Sequence, residues 1–208
     1  KAQIPDKNIL KASSNSGLGT PVFPLAGFTI NTAVVTSHSG KNPNSTRPNH
    51  RGIDLVVPGG NDTNYGHDIV AAWDGTVRVS GVVSGFGEGV YVKHTNGWET
   101  VYGHLKPNSR IVSVGQQVKA GQKLGEMGNT GNVVPKPTSS NPYAGTHLHF
   151  EVWRGDQGVG EWFDPYPILT GAQQVDAASG VSSTNPQAPT TEFKVLENIK
   201  VEKCFNGD

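Results

Sequence analysis

Val90-Tyr91-Val92-Lys93-His94-Thr95-Asn96-Gly97-Trp98-Glu99-Thr100-Val101-Tyr102 decides the fold. Two runs rich in β-branched and aromatic residues flank Asn-Gly. Both residues of that dipeptide tolerate positive φ, which a two-residue hairpin turn demands. The spacing predicts an antiparallel pair with Thr95 opposite Trp98, His94 opposite Glu99 and Val92 opposite Val101. Val90, Val92 and Val101 would form an apolar face, with His94 beside Glu99 on the valine side. Tyr91, Lys93, Thr100, Tyr102 and His104 would fall on the reverse face, which makes His104 a candidate for a polar cleft there.

The pattern continues outward. Ile69-Val70-Ala71-Ala72-Trp73, Thr76-Val77-Arg78-Val79 and Leu148-His149-Phe150-Glu151-Val152 read as strands, and Asp74-Gly75 and Pro58-Gly59-Gly60 as turns. The 208 residues include 27 Gly and 14 Pro, neither of which favours a helix interior. The expectation is an all-β chain in which helix is rare or absent.

Residues 1–19 are polar and read as a linker, 20–170 hold every histidine and read as the folded domain, and 171–190 read as a second linker. In the tail, Phe193–Val201 is apolar enough for one strand, packed on the domain or opening a further module. Lys+Arg and Asp+Glu both total 17, so nothing points to nucleic acid, whose binders usually carry a basic surplus. No apolar run is long enough to span a membrane. The single cysteine, Cys204, excludes an internal disulfide and a cysteine-based zinc site. With Lys1 first and no signal-like segment, the chain is expected to be a processed or excised piece of a larger protein.

Two short runs carry the chemistry: His50-Arg51-Gly52-Ile53-Asp54 and His147-Leu148-His149. They offer three residues of zinc-binding types and one spare histidine. Two nitrogens and one carboxylate oxygen leave a fourth tetrahedral position for water, as in catalytic zinc sites. Strand parity supports convergence. Leu148, Phe150 and Val152 share one face and His147, His149 and Glu151 the other; Ile53, Leu55 and Val57 oppose His50 and Asp54. A bulge between His50 and Asp54 would spoil that count.

Taken in order, His50-x-x-x-Asp54, Tyr102-Gly103-His104-Leu105 and His147-Leu148-His149-Phe150 resemble the M23 family of zinc metallopeptidases, the lysostaphin-type peptidoglycan endopeptidases. Ile69 to Val77 and the glycine-punctuated Val114 to Gly125, followed by Gly128-Asn129-Thr130-Gly131, are similar to the family's connecting segments. The resemblance covers roughly residues 22–165. It implies a two-layer antiparallel β fold with one zinc ion in a groove walled by loops, held by His50, Asp54 and His149. It also implies that His104 and His147 are catalytic histidines that do not bind the metal. One would accept the proton of the attacking water and the other would bind the oxyanion, with the order left open. The substrate implied is a peptide of bacterial peptidoglycan cross-links, reached outside the cell by a secreted or virion-associated module.

The alternative is a non-catalytic M23-like wall-binding or regulatory domain, although such domains typically lack a ligand. The hairpin around Gly121 is also similar to lipoyl and biotinyl carriers, but Met127-Gly128-Asn129-Thr130 lacks their lysine. His38, His67 and His94 read as surface or structural histidines. Glu151 either orients a metal-bound imidazole or is a solvated edge carboxylate. Tyr102 is a packing residue or touches substrate. The proline-rich stretch from Asn132 to Gly145 reads as a groove wall or as an insertion without a role.

Overall fold

The computed structural model describes residues 17–175 and 181–183. The strands are β1 (Val34–Ser37), β2 (Ile53–Val56), β3 (Asp68–Val70), β4 (Gly75–Val83), β5 (Gly87–Lys93), β6 (Trp98–Leu105), β7 (Gln117–Val118), β8 (Lys123–Glu126), β9 (Leu148–Arg154), β10 (Glu161–Phe163), β11 (Gln173–Val175) and β12 (Val181–Ser183). Among the described residues the helices are α1 (Asn61–Asn64) and α2 (Pro165–Leu169), both short, and neither is long and apolar enough to cross a membrane. The main sheet runs β1-β2-β9-β6-β5-β4-β7, antiparallel throughout, with β10 beside β9; β3 pairs with β8, and β11 with β12. The chain is all-β, as its alternation and turn chemistry require. Phe193–Val201 and Cys204 lie outside the described residues.

Alternation sets the two faces of the main sheet. Leu148, Phe150 and Val152 of β9 and Ile53 and Leu55 of β2 are fully buried on one side. Ile69 and Val70 of β3, Leu124 of β8 and Met127 are buried too, and Ile69, Leu124 and Met127 join the same core, so the β3–β8 ribbon forms a second layer over that face. Truncating Phe150 to Ala there would cost about 3–5 kcal/mol through lost burial and the cavity left behind. On the opposite face Tyr91, Val101 and Trp153 make a smaller cluster. Leu18 donates its N–H to the Val175 carbonyl at 2.9 Å, and both residues pack against the main core.

Two expectations need correction. The Asn96-Gly97 turn forms, with φ of 61° and 78° and Trp98 N–H donating to the Thr95 carbonyl. However, His94 N–H donates to the Trp98 carbonyl at 2.8 Å, so His94 and Thr95 both oppose Trp98. The register is Val90 with Tyr102, Val92 with Thr100 and Lys93 with Glu99. A slip of one residue exchanges the faces of β6 relative to β5. Val101 therefore joins Tyr91, whereas Trp98 and Tyr102 enter the main core beside Val90 and Val92. Burying a tryptophan and a tyrosine outweighs the valine pairing that the perfect hairpin would have kept. Tyr102, fully buried, is a packing residue and cannot touch substrate.

The second correction concerns Ile69–Trp73, which remains a strand only to Val70. Ala71 and Ala72 leave the ladder to bond elsewhere, Ala71 N–H to the Gln122 carbonyl and Ala72 N–H to the Tyr102 hydroxyl.

Candidate metal centre

β2 and β9 set Asp54 directly opposite His149. Gly52 permits that approach: a Cβ there would lie 2.4 Å from the Phe150 carbonyl oxygen and 2.9 Å from His149 Nε2. His50 stands before β2 in a turn, where its N–H donates to the Arg47 carbonyl and its own carbonyl accepts from Gly40 N–H. The strand parity expected of His50 therefore does not apply, yet the turn delivers its ring to the same place. His50 Nε2 lies 3.0 Å from Asp54 Oδ1 and 3.0 Å from His149 Nδ1, and His149 Nδ1 lies 2.8 Å from Asp54 Oδ1. All three residues are buried, and these donor atoms form a cluster able to hold a metal ion.

The outer contacts of the rings test whether the trio suits a cation. His50 Nδ1 donates to the His38 carbonyl at 2.9 Å, and His149 Nε2 faces Glu151 Oε1 at 3.0 Å. A carbonyl and a carboxylate only accept, so each outer nitrogen carries the hydrogen. In the neutral rings the inner nitrogens then turn lone pairs toward Asp54 Oδ1. Three electron-rich atoms facing one another repel unless a proton or a metal ion lies among them, so the donor set fits a divalent cation of the borderline kind. Glu151 is a buried acceptor, fixed by Trp153 Nε1–H at 2.6 Å, and is not a solvated edge carboxylate.

His104 and His147 stand beside this trio, with ring centroids 4.7 Å apart. His147 Nε2 is 3.6 Å from Asp54 Oδ1, and its Nδ1 donates to the Gly145 carbonyl at 2.8 Å. His104 Nδ1 donates to the Thr130 carbonyl at 2.8 Å. Both rings therefore also turn Nε2 toward the cleft. Strand alternation does not bring His104 there. Its backbone is left-handed (φ 63°) and its N–H donates to the Phe86 carbonyl, so the chain twists out of the Tyr102 face. Gly103 makes room for the Phe86 ring, which lies 5.4 Å from that of His149.

The protonation states follow from these contacts. Burial pushes Asp54 up, but hydrogen bonds from His149 and His50 and the charge on His149 hold it far below the usual carboxylate range. Burial pushes His149 down, and its bonds to Asp54 and Glu151 reverse that and raise it to about 9. Burial lowers His104 to about 4, aided by the neighbouring His147 and His149. Burial also lowers His147, against the pull of Asp54. Near neutral pH both are uncharged bases.

The cluster opens into a groove of about 1250 Å³, bordered by the Ser37–His50 loop, by Gly85 and Phe86, and by Asn132 and Val134. Thr130 locks the walls together: its hydroxyl donates to the Leu105 carbonyl and accepts from Glu88 N–H. Arg47 donates through one guanidinium nitrogen to Asp54 Oδ2 at 3.0 Å. Phe86 and Arg47 escape sequence reading because neither lies in a spaced motif; Thr130 stands in the Gly128-Asn129-Thr130-Gly131 run, but nothing in that run signals its bracing hydrogen bonds. His38 gives His50 its carbonyl while packing on Tyr166, and His67 bonds the Ala26 carbonyl.

Comparison with known proteins agrees with this architecture. Residues 48–162, more than half of the chain, match Peptidase family M23, and the chain belongs to that family. It is 39% identical over 102 residues to the peptidoglycan DD-endopeptidase ShyC of Vibrio cholerae, covering 49% of this chain and 19% of that protein. It is 28% identical over 162 residues to the L-Ala--D-Glu endopeptidase of Bacillus subtilis, covering 77% and 46%. The catalytic domain of the antimicrobial peptidase lysostaphin from Staphylococcus simulans superposes with a TM-score of 0.50 at 25% identity, covering 66% of this chain and 91% of that one. The chain spans less than half the length of either curated relative.

Proposed function

We propose that the chain is a zinc-dependent endopeptidase that hydrolyses peptide bonds in bacterial peptidoglycan cross-links. One observation carries the reading: two imidazole nitrogens and one carboxylate oxygen lie within 4.8 Å of one another, beside two further histidines, on the floor of an open groove. His50, Asp54 and His149 would hold the ion. Zinc, when bound, supplies the Lewis acidity that acidifies a water and polarises a peptide carbonyl.

The chain's own residues do the remaining work. Asp54 is held anionic by its imidazole partners, and Glu151 fixes the His149 ring. His104 and His147 act as a pair. With their hydrogens on Nδ1, both neutral rings offer a lone pair at Nε2: one accepts the water proton there and returns it to the leaving amine, and the other donates a hydrogen bond to the oxyanion only in the form that carries a second proton, on Nε2. The carbonyls of Thr130 and Gly145 fix both rings by their Nδ1–H groups, so neither has to reorient during the reaction. The Asn132–Gly145 stretch, which brings Asn132 and Val134 to the groove, shapes substrate choice. The names of the two relatives support a wall peptide as substrate, and such a substrate lies outside the cytoplasm; a larger secreted or virion-associated protein would carry the domain to it.

Digestion of purified peptidoglycans of different cross-bridge chemistry, with and without a chelator, tests the reading, with new amino termini identified by mass spectrometry. Chelator-sensitive release that disappears in Asp54→Ala is expected. Equal behaviour of wild type and Asp54→Ala would instead leave a non-catalytic wall-binding domain.

A further inference from the structure

Arg51 lies between the candidate ligand His50 and Gly52, and it lines the same groove. Its guanidinium sits over the Trp153 ring, 5.7 Å from the centroid. Trp153 is itself buried and immobilised by its bond to Glu151. Most described lysines and arginines are committed to carboxylates, Arg47 to Asp54 among them. Arg51 is exposed and, among the described residues, forms no ion pair; its partner there is the aromatic face beneath it. Stacking of this kind orients the planar fork and leaves its N–H donors for a ligand.

The groove's other charges sharpen the point. Its carboxylates, Asp54 and Glu151, are buried and already bonded by histidine, arginine or tryptophan. The exposed charge in the groove is therefore positive. Trp153 follows His149 by four residues on the same face of β9, about 13 Å along an extended strand. An extended peptide whose scissile bond lies at His149 would present its third or fourth residue away to Arg51.

We propose that Arg51, seated on Trp153, is a specificity-determining anchor for a free carboxylate of the substrate peptide, about three to four residues from the scissile bond. The preferred substrate is then an anionic stem peptide and not a neutral glycine bridge. The placement of the scissile bond rests on the reading of the site given above, but recognition of the carboxylate can be measured without hydrolysis.

The test is equilibrium binding by titration calorimetry in the presence of chelator. It uses two cross-linked stem peptides that differ only in a D-glutamyl carboxylate or its carboxamide. Wild type is expected to bind the carboxylate about 10- to 100-fold more tightly, as charge-assisted bidentate bonding implies. Arg51→Gln should bring the two affinities within twofold by weakening the carboxylate peptide alone, and Arg51→Lys should restore part of the difference. Equal wild-type affinities, no binding of either peptide, or an equal loss for both in Arg51→Gln would overturn the proposal. Should peptidoglycan digestion fail while carboxylate selectivity holds, the anchor stands and the enzyme reading falls.

Discussion

His94 and His149 are each 7% exposed, yet their surroundings drive their basicity in opposite directions. His94 lies behind the sheet against the edge of Trp73, with Nδ1 on the Asp74 carbonyl and Nε2 beside the Thr100 hydroxyl. Burial lowers it to about 4, and it stays neutral. His149 has a carboxylate at each nitrogen and is raised to about 9 despite equal burial. The difference teaches that burial alone makes a structural histidine. Converging carboxylates create a demand for positive charge, which a proton or a metal ion can meet.

The largest test of that contrast is Asp54→Asn. With the converging charge removed, bound metal should fall below one equivalent, and peptidoglycan hydrolysis should drop by about a thousandfold or more. Metal analysis beside product release measures both. Full metal occupancy in the variant would break the contrast.

Next come the two bases. His104→Ala and His147→Ala should each retain the metal and lose about 10²- to 10⁴-fold in kcat. The folded value of about 4 for His104 lies below the ordinary 6.5, so this ring is a free base through pH 5–8. An acidic limb due to it should therefore appear only below about pH 5 in the pH–rate profile.

His94 gives the third test, in stability instead of activity. Its folded value of about 4 lies below the unfolded 6.5, so unfolding takes up a proton between those limits. The contribution is fully present above about pH 6.5 and is lost as pH falls toward 4, about 3 kcal/mol in all. Urea denaturation from pH 7 to 4 should show that loss in wild type and a shallower slope in His94→Gln, with hydrolysis at pH 7 retained. Equal slopes would mean that the ring is not held neutral by its burial.

The smallest effect expected is that of Glu151→Gln, which keeps the shape of the side chain and removes one charge from the outer side of His149. Metal affinity should weaken about 10- to 100-fold. Competition with a chromophoric chelator would show it, and an unchanged affinity would assign the basicity of His149 to Asp54 alone.

The legible part of this molecule was its periodicity. The alternation in Leu148–Val152 and Ile53–Val57 correctly divided core from cleft, because a strand repeats every two residues wherever its ladder is regular. Alternation failed where the ladder breaks. The bulge opposite Trp98 moved Val101 and Tyr102 to other neighbours, and the left-handed backbone at His104 brought that ring to the groove independently of parity. Neither leaves a signal in residue spacing. The H-x-x-x-D and H-x-H runs showed which residues could converge. The carbonyls of His38, Thr130 and Gly145, which orient the rings, belong to backbone that any side chain could carry. Arg47, Phe86 and the seat of Arg51 on Trp153 are tertiary contacts with no local pattern.

The most direct measurement is a zinc-edge anomalous diffraction map of the zinc-loaded protein. The account predicts one ion at about 2.0–2.2 Å from His50 Nε2, Asp54 Oδ1 and His149 Nδ1, with a water completing the coordination. A peak elsewhere, or His147 Nε2 closing the fourth position as a permanent protein ligand, would contradict it.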